Sequence, residues 1–472
     1  MTLRLRNTLG GALEEFRPLD PPNVRLYSCG PTVYSPSHVG NFRSFLFADV
    51  LRRYLGWLGY RVTWVMNITD VDDKIIRNAA RAGVAIGELT ARHEATFRED
   101  LARLRVMTPD VLPRATEHID EMATLIETLL EKGHAYRTED GSIFFRIASW
   151  PAYGRLAHLD PSQQRVGERV SADEYDKDNV RDFALWKGPR EGEPSWTTSI
   201  GPGRPGWHVE CSAMSMRYLG PSFDLHTGGI DLIFPHHEDE IAQSEAATGL
   251  PFVQTWLHCA HLQLGGQKMA KREGNIATPS EIYAAGTSPR ALRYALISAH
   301  YRASLEFSDE SLVAATAAVS RLSTLLAALD GYREAHPDDP GLPALLASTR
   351  ADFGAAMDDD LNVAPALAAV FELVRELNRR LDARVISSAD AASAAAFLRD
   401  LDGVLAVAEE DVAVLPAELA ALLDAREAAR AARDWAGSDR LRDELAERGV
   451  SVEDTRDGQR WHWARVTADA GR

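Results

Sequence analysis

The sequence runs to 472 residues, 45% hydrophobic and 26% charged, a balance that fits a globular chain with a large core and room for two to four domains. Its net charge of −17 and its three cysteines exclude nucleic-acid binding by bulk attraction and a disulfide scaffold, but not a local basic face. No apolar run is long enough to cross a bilayer, and the N-terminus lacks the apolar core of a signal peptide, so a cytoplasmic protein without a membrane partner is expected.

Val24 to Cys29 reads as a buried strand, broken by Gly30 and Pro31. Ser37 is expected to cap a helix from His38 to about Leu58, with Phe42, Phe45, Leu46, Val50 and Leu51 in helical rhythm, and Arg61 to Ile68 forms a second strand. Strand, helix, strand is a βαβ unit, whose ligands sit beyond the carboxyl ends of the strands, where Cys29 and His38 to Asn41 fall. Gly40 admits a flat ring close to the backbone, and His38 at a positive helix end can donate to phosphate. Equally, His38 only caps the helix and Gly40 only serves packing. Asp70 to Lys74 lacks the spacing of a calcium loop and reads as a helix start whose acids complement the dipole. Residues 80–150 read mostly as amphipathic helix ending in a strand near 142–146, and 151–205 as irregular chain. Together 116–205 read as an insertion between two halves of one sheet domain.

Trp207-His208-Val209-Glu210-Cys211, the Gly-rich stretch His226 to Asp231, and Phe234 to Glu240 place a thiol, imidazoles and carboxylates within about thirty residues. On a helix His236 and Glu240 are i and i+4, and His237 and Glu240 i and i+3, so the spacing does not choose the imidazole. With a distant cysteine such a pair assembles a zinc site of S, N and O donors. The same residues also suit a solvated first turn and a small buried thiol. Thr255 to Ala260 is a further strand. It leads into Gly265 to Asn275, a Gly-flanked basic loop of the kind that clamps phosphate or merely turns the chain. Of 52 basic residues 46 are arginine, yet two of the six lysines, Lys268 and Lys271, stand together here, where compact ammonium groups suit point contacts.

From about 308 to 409 the chain is Ala- and Leu-rich with helical periodicity, a bundle. Pro416 opens a last module: one helix bearing Arg426, Arg430, Arg433, Arg440 and Arg442, then a small β element from Val450 to Trp463. Arginines with Trp435, Trp461 and Trp463 suit stacking on unpaired bases, or a solvated, salt-bridged helix.

Together these motifs resemble the cysteinyl-tRNA synthetases, a family of class I aminoacyl-tRNA synthetases. The resemblance rests on Tyr27 to Tyr34, His38 to Asn41, Asn67 to Lys74, Pro113 to His118, Asp182 to Lys187, Trp207 to Met214, Phe234 to Glu240, Lys268 to Asn275, Met357 to Asn362 and Arg430 to Asp439. It implies a Rossmann-type α/β catalytic domain in two halves (1–115 and 206–262) around a connective insertion (116–205). A stem-contact region with the lysine loop (263–310), a tRNA-binding helical bundle (311–415) and a small α+β anticodon-binding module (416–472) follow. It also implies ATP-dependent attachment of L-cysteine to its tRNA through a cysteinyl adenylate, by a monomer without an editing domain. Cys29, Cys211, His236 and Glu240 become the ligands of one zinc ion. His38, Val39, Gly40 and Asn41 become the first class signature, and Lys268, Met269, Ala270, Lys271 and Arg272 the second. Thr69 and Trp207 are expected in the amino-acid pocket, and Asp231 on the adenosine ribose. His38, Gly40, Asn41, Lys268 and Lys271 are expected on ATP with Mg²⁺, and Arg426, Arg430 and Trp435 on tRNA. Asn41 stands where the general signature has His, and Ala270 and Arg272 where the lysine loop usually has serines. Rival readings are an ATP-dependent cysteine ligase acting on an amino sugar, as in mycothiol synthesis, a non-catalytic tRNA-binding paralogue, and a zinc hydrolase.

Overall fold

The computed structural model describes residues 2–159, 164–170, 180–264, 266–268, 276–408, 417–448, 450–455 and 458–463. At its centre is a four-stranded parallel sheet in the spatial order Val253–Cys259, Phe223–Gly229, Asn23–Ser28, Arg61–Met66. Along the chain the second strand is added on one side of the first, and the third and fourth are added on its other side. A switch point therefore lies between Asn23–Ser28 and Phe223–Gly229, the place where such sheets open a crevice for ligands. Helix Val39–Trp57 covers one face, and helices Trp207–Leu219 and Glu238–Thr248 cover the other.

Strand alternation decides what reaches each face. Leu26, Trp64, Leu225 and Leu257 join the core under helix Val39–Trp57. Their chain neighbours Tyr27, Val65 and Trp256 join the opposite cluster, with Cys29 two residues beyond Tyr27 on the same side. His226, in register with both Tyr27 and Trp256, lies in that same row and stacks on Trp256 at 4.5 Å. Gly30 follows Cys29 because a Cβ there would stand 1.7 Å from the carbonyl oxygen of Asn67.

Several expectations are corrected. The helix cap is His38, not Ser37, and the helix is Val39–Trp57. The stretch expected to be irregular carries a mixed, mostly antiparallel sheet. Val180–Lys187 lies between Ile143–Phe145 and Gly201–Pro205, with Ala135–Arg137 and Trp196–Thr198 at the edges and Gln164–Val170 alongside. Its central strand buries two charged residues, Asp182 and Lys187. Asp182 accepts from Tyr136 (2.8 Å) and the Ile147 N–H (2.9 Å), and Lys187 meets Asp73 at 2.9 Å. An N-terminal hairpin, Arg4–Asn7 with Ala12–Glu15, clips the edge strand through Thr8 N–H to the Trp256 carbonyl at 2.9 Å. The acidic stretch does open a helix, Asp73–Ala82, with Asp72 capping the Ile75 N–H at 2.6 Å.

Four helices follow, Asp309–Asp330, Leu342–Asp358, Val363–Ala383 and Ser388–Leu405, and their core is continuous with that of helix Val39–Trp57. By length and composition Asp309–Asp330 is apolar enough to cross a bilayer, contrary to the sequence expectation. Its Leu312, Val319, Leu322, Leu326 and Leu329 are buried in the shared core. The last module has two helices rather than one, Ala417–Ala431 and Trp435–Glu447. The chain turns at Arg433 (φ 63°), and Asp434 caps the second helix before the hairpin Val450–Thr455 and Gly458–Trp463.

One buried pair joins these parts. Arg293 donates to Asp49 at 2.6 Å and to the carbonyls of Leu405 (2.7 Å) and Leu104 (2.9 Å), while Asp49 also accepts from Arg53 (2.8 Å) and the Met107 N–H (2.7 Å). Both are fully buried. Asp49→Ala leaves a guanidinium buried without its counter-charge and should cost about 3–5 kcal/mol, read as a lower urea midpoint for the sheet–bundle unit.

Candidate active site

Four side chains from three distant segments meet on the crowded face of the sheet. Cys29 comes from the end of the first strand, Cys211 from helix Trp207–Leu219, and His236 and Glu240 from the turn and first residues of helix Glu238–Thr248. Cys29 Sγ lies 3.8 Å from Cys211 Sγ and 3.7 Å from Glu240 Oε1, and His236 Nε2 lies 3.1 Å from the same oxygen. A tetrahedral zinc site with bonds of roughly 2.0–2.3 Å sets its N and O donors a little over 3 Å apart and two sulfurs nearly 4 Å apart. The donor set and its spacing fit zinc. His236 lies just outside the regular helix, yet it reaches Glu240 as the i, i+4 spacing predicted.

The electrostatics point the same way. Burial opposes ionisation of Glu240, but His226 and His236 beside it hold its carboxyl at about 2. Burial opposes charge on His236, yet Cys211 and Glu240 raise its imidazole to about 10. Burial alone would lift the Cys211 thiol, but the hydrogen bond with the Cys29 thiol and the charge of His236 bring it to about 6. Burial pushes the Cys29 thiol well above its ordinary value. Anionic groups gathered without solvent around one imidazole form a nest for positive charge.

A second set shares two of these residues: Cys29, His226, His237 and Glu240 also converge closely enough to hold an ion. His226 Nε2 lies 3.0 Å from Glu240 Oε2, and His237 Nε2 lies 3.3 Å from Cys29 Sγ. Further out, His208 Nδ1 meets His236 Nδ1 at 3.0 Å and His208 Nε2 meets Asp239 at 3.5 Å. Glu238 points away from the cluster and accepts four backbone N–H groups from Gly154 to Ala157 at 2.8–3.1 Å. That pins the helix start to the insertion. Trp207 stacks on His236 at 4.2 Å and forms a partly exposed wall. Thr69 donates to Glu210 at 2.8 Å, one residue before Cys211. Glu210 is fully buried, its Oε1 has no hydrogen-bond partner among the described residues, and burial pushes its carboxyl well above the usual range.

His258, which the sequence reading passed over, stands behind His237 at 2.7 Å. Its signal was parity: in Val253–Cys259 it shares the face of Trp256. Glu210 stood in the Trp207 to Cys211 stretch but was given no role, although it is three residues beyond Trp207 on the same helix face.

The signature residues collect at the carboxyl ends of the strands. The His38 N–H donates to Asn41 Oδ1 at 3.1 Å, so Asn41 closes the first turn of the helix. A Cβ on Gly40 would stand 3.0 Å from His38 Nδ1 and 3.7 Å from Leu262. The Val39 N–H donates to the Ala277 carbonyl at 2.9 Å. Leu262 and Ala277 flank the basic loop on either side, so both its ends rest on the first signature. Lys268 pairs with Gln263 in a short strand, whereas Met269, Ala270, Lys271 and Arg272 lie outside the described residues. Asp231 is exposed in the turn after Phe223–Gly229, folded over Gly229, where a Cβ would stand 2.6 Å from its Oδ1. In the last module Trp435 is 57% exposed with Arg430 at 5.7 Å over its ring. Arg426 is not at the surface: it is 1% exposed and donates to Gln459 at 2.8 Å, tying the helix to the hairpin.

Comparison with known proteins matches residues 15–317 to the class I (C) tRNA synthetase catalytic domain, 352–409 to a DALR domain and 413–461 to a cysteinyl-tRNA ligase anticodon binding domain. Similar curated proteins include the cysteine–tRNA ligase of Koribacter versatilis, 45% identical over 98% of this chain and 99% of that one. That of Solibacter usitatus is 46% identical over the same shares. In fold the chain resembles Mycobacterium tuberculosis methionyl-tRNA synthetase in complex with methionyl-adenylate (TM-score 0.58, 17% identity, 82% of this chain and 90% of that one). It also resembles the Agrobacterium radiobacter K84 agnB2 LeuRS–tRNA–LeuAMS complex (TM-score 0.60, 12% identity, 83% and 85%). With the matched domains covering most of its length in the expected order, the chain belongs to the cysteine–tRNA ligase family of class I aminoacyl-tRNA synthetases.

Proposed function

We propose that this ligase selects cysteine through one zinc ion held by Cys29, Cys211, His236 and Glu240 at the base of its crevice. The observation that carries the reading is the convergence of two thiols, an imidazole and a carboxylate in a buried nest at the switch point. Zinc bound there supplies a Lewis acid with strong preference for a thiolate over a hydroxyl. That preference is what shape lacks, since an apolar pocket separates near-isosteres by only about 1–3 kcal/mol.

The remaining work falls to the chain itself. Trp207, stacked on His236, walls the pocket, and the Thr69 hydroxyl, held by Glu210, offers its lone pairs to the substrate ammonium. Asp231 holds the ribose of ATP, and Gly40 leaves room for the adenine. The cysteine carboxylate attacks the α-phosphorus of ATP and pyrophosphate leaves, giving cysteinyl adenylate. His38, the helix N-terminus behind it, Lys268 and Lys271 stabilise the developing phosphate charge, with Mg²⁺ on the nucleotide. The terminal ribose hydroxyl of tRNA then attacks the adenylate carbonyl and AMP leaves, so no protein nucleophile is needed. Trp435 and Arg430 present a stacking platform for unpaired bases. An amino-sugar ligase has no use for such a module.

Cysteine-dependent exchange of pyrophosphate into ATP tests this reading without tRNA. Exchange should vanish when a chelator strips the metal and return with zinc. Discrimination against serine should exceed the roughly 10–200-fold that an apolar pocket supplies and fall into that range in Cys211→Ser. Equal exchange with serine in the wild type would remove the zinc account of selection.

The C-terminal module gives a separate test. Trp435→Ala should leave melting unchanged and weaken tRNA binding by about 1–3 kcal/mol. Arg426→Ala should instead destabilise the module, by about 1.5–3 kcal/mol for a charged hydrogen bond. Filter binding and thermal melting separate the two.

A further inference from the structure

Cys29 ends a file of hydrogen bonds that leads out of the cluster. His237 Nε2 stands 3.3 Å from Cys29 Sγ, His237 Nδ1 stands 2.7 Å from His258 Nε2, and His258 Nδ1 stands 2.7 Å from Thr8 Oγ1. His237 is fully buried, His258 is 5% exposed, and Thr8 is partly buried at the end of the first hairpin strand. The file is braced along its length. The Thr8 N–H donates to the carbonyl of Trp256, two residues before His258, at 2.9 Å. A Cβ on Gly228 would stand 2.5 Å from His237 Cε1, so glycine is what admits the ring.

Proton roles follow from the end of the file. A metal-bound thiolate carries no proton and only accepts. His237 then donates through Nε2–H and accepts at Nδ1 from His258 Nε2–H, and His258 accepts at Nδ1 from the Thr8 hydroxyl. One hydroxyl therefore sets the tautomer of two rings and aims an N–H at the sulfur.

We infer that Thr8, His258 and His237 are positioning residues for Cys29, and that they tune the metal's appetite for the substrate thiolate; the inference rests on the zinc reading above. The N–H into sulfur draws charge off the thiolate and leaves the bound cation more electron-poor, hence readier for a further sulfur ligand. The competing arrangement makes His237 itself a ligand, within the set of Cys29, His226, His237 and Glu240.

The experiment uses the full chain loaded with Co²⁺ in place of zinc. Thr8→Val removes the hydroxyl and keeps the shape, and Thr8→Ser restores the donor. In Thr8→Val the sulfur-to-cobalt charge-transfer band should move to lower energy. Metal affinity by chelator competition should fall about 10-fold, because without the N–H the Cys29 thiolate is less favoured over the thiol and less firmly placed, and KM for cysteine should rise more than kcat falls. Thr8→Ser should match the wild type, and His237→Gln, whose amide still donates, should retain the metal. A Thr8→Val protein with the wild-type band and affinity overturns the relay. So does a His237→Gln protein that loses the metal, because His237 is then a ligand. A wild-type chain that takes up neither Co²⁺ nor zinc overturns the zinc reading itself, a result distinct from either.

Discussion

The structure turns on the cost of burying charge. Two thiols, a carboxylate and several imidazoles are packed without solvent beneath the sheet, and unpaired charge there would be prohibitive. The groups answer one another, and the cluster could hold a cation: the Glu240 carboxyl is held ionised by its imidazole neighbours, and the imidazole of His236 is drawn toward positive charge by Cys211 and Glu240. The same constraint explains the shell around the cluster. His226, His237 and His208 each offer a ring nitrogen to one member of it. Glu238, which would add another charge, is turned away into four backbone N–H groups of the insertion.

That arrangement gives the inserted segment a part in the site. The 154–157 turn grips Glu238 and so fixes where the next helix begins, which in turn sets His236 and Glu240. Asp73, at the start of the helix after the second strand, meets Lys187 and Arg204 from the inserted sheet at 2.9 and 2.6 Å. The two halves of the catalytic sheet are thus held in register partly through the segment that separates them in sequence.

What the sequence made legible was what periodicity and donor chemistry can carry. The βαβ unit, the helical bundle and the i, i+4 pair of His236 and Glu240 all have local signals. The strands of the insertion did not, because Val180–Lys187 is buried with Asp182 and Lys187 inside it, and its polar residues find partners only in three dimensions. Arg426 misled for the same reason: an arginine on a charged helix reads as solvated until the hairpin folds back over it. The relay through His258 and Thr8 joins residues some 250 positions apart, so no window along the chain contains it. The choice between His236 and His237 was likewise beyond spacing, since both rings end near Glu240.

The preference for arginine over lysine now has a physical reason. Arg43 spreads its fork over the carbonyls of Ala260, His261, His300 and Ala303 at 2.6–3.2 Å. Arg293 does the same for Leu104, Leu405 and Asp49. A planar, always-charged fork with five donors suits this stapling of loop carbonyls, and lysine does not. Many of the cations in an acidic chain are therefore spent on holding elements together rather than on display. Lysine serves singly: Lys132 on the Ala247 carbonyl, Lys187 on Asp73, Lys74 over the Tyr34 ring. In sequence the pair Lys268 and Lys271, three apart between two loop ends that rest on the first signature, departs from this pattern. The net charge of −17 is thus compatible with phosphate chemistry, because a local basic group rather than the bulk charge decides whether phosphate is met.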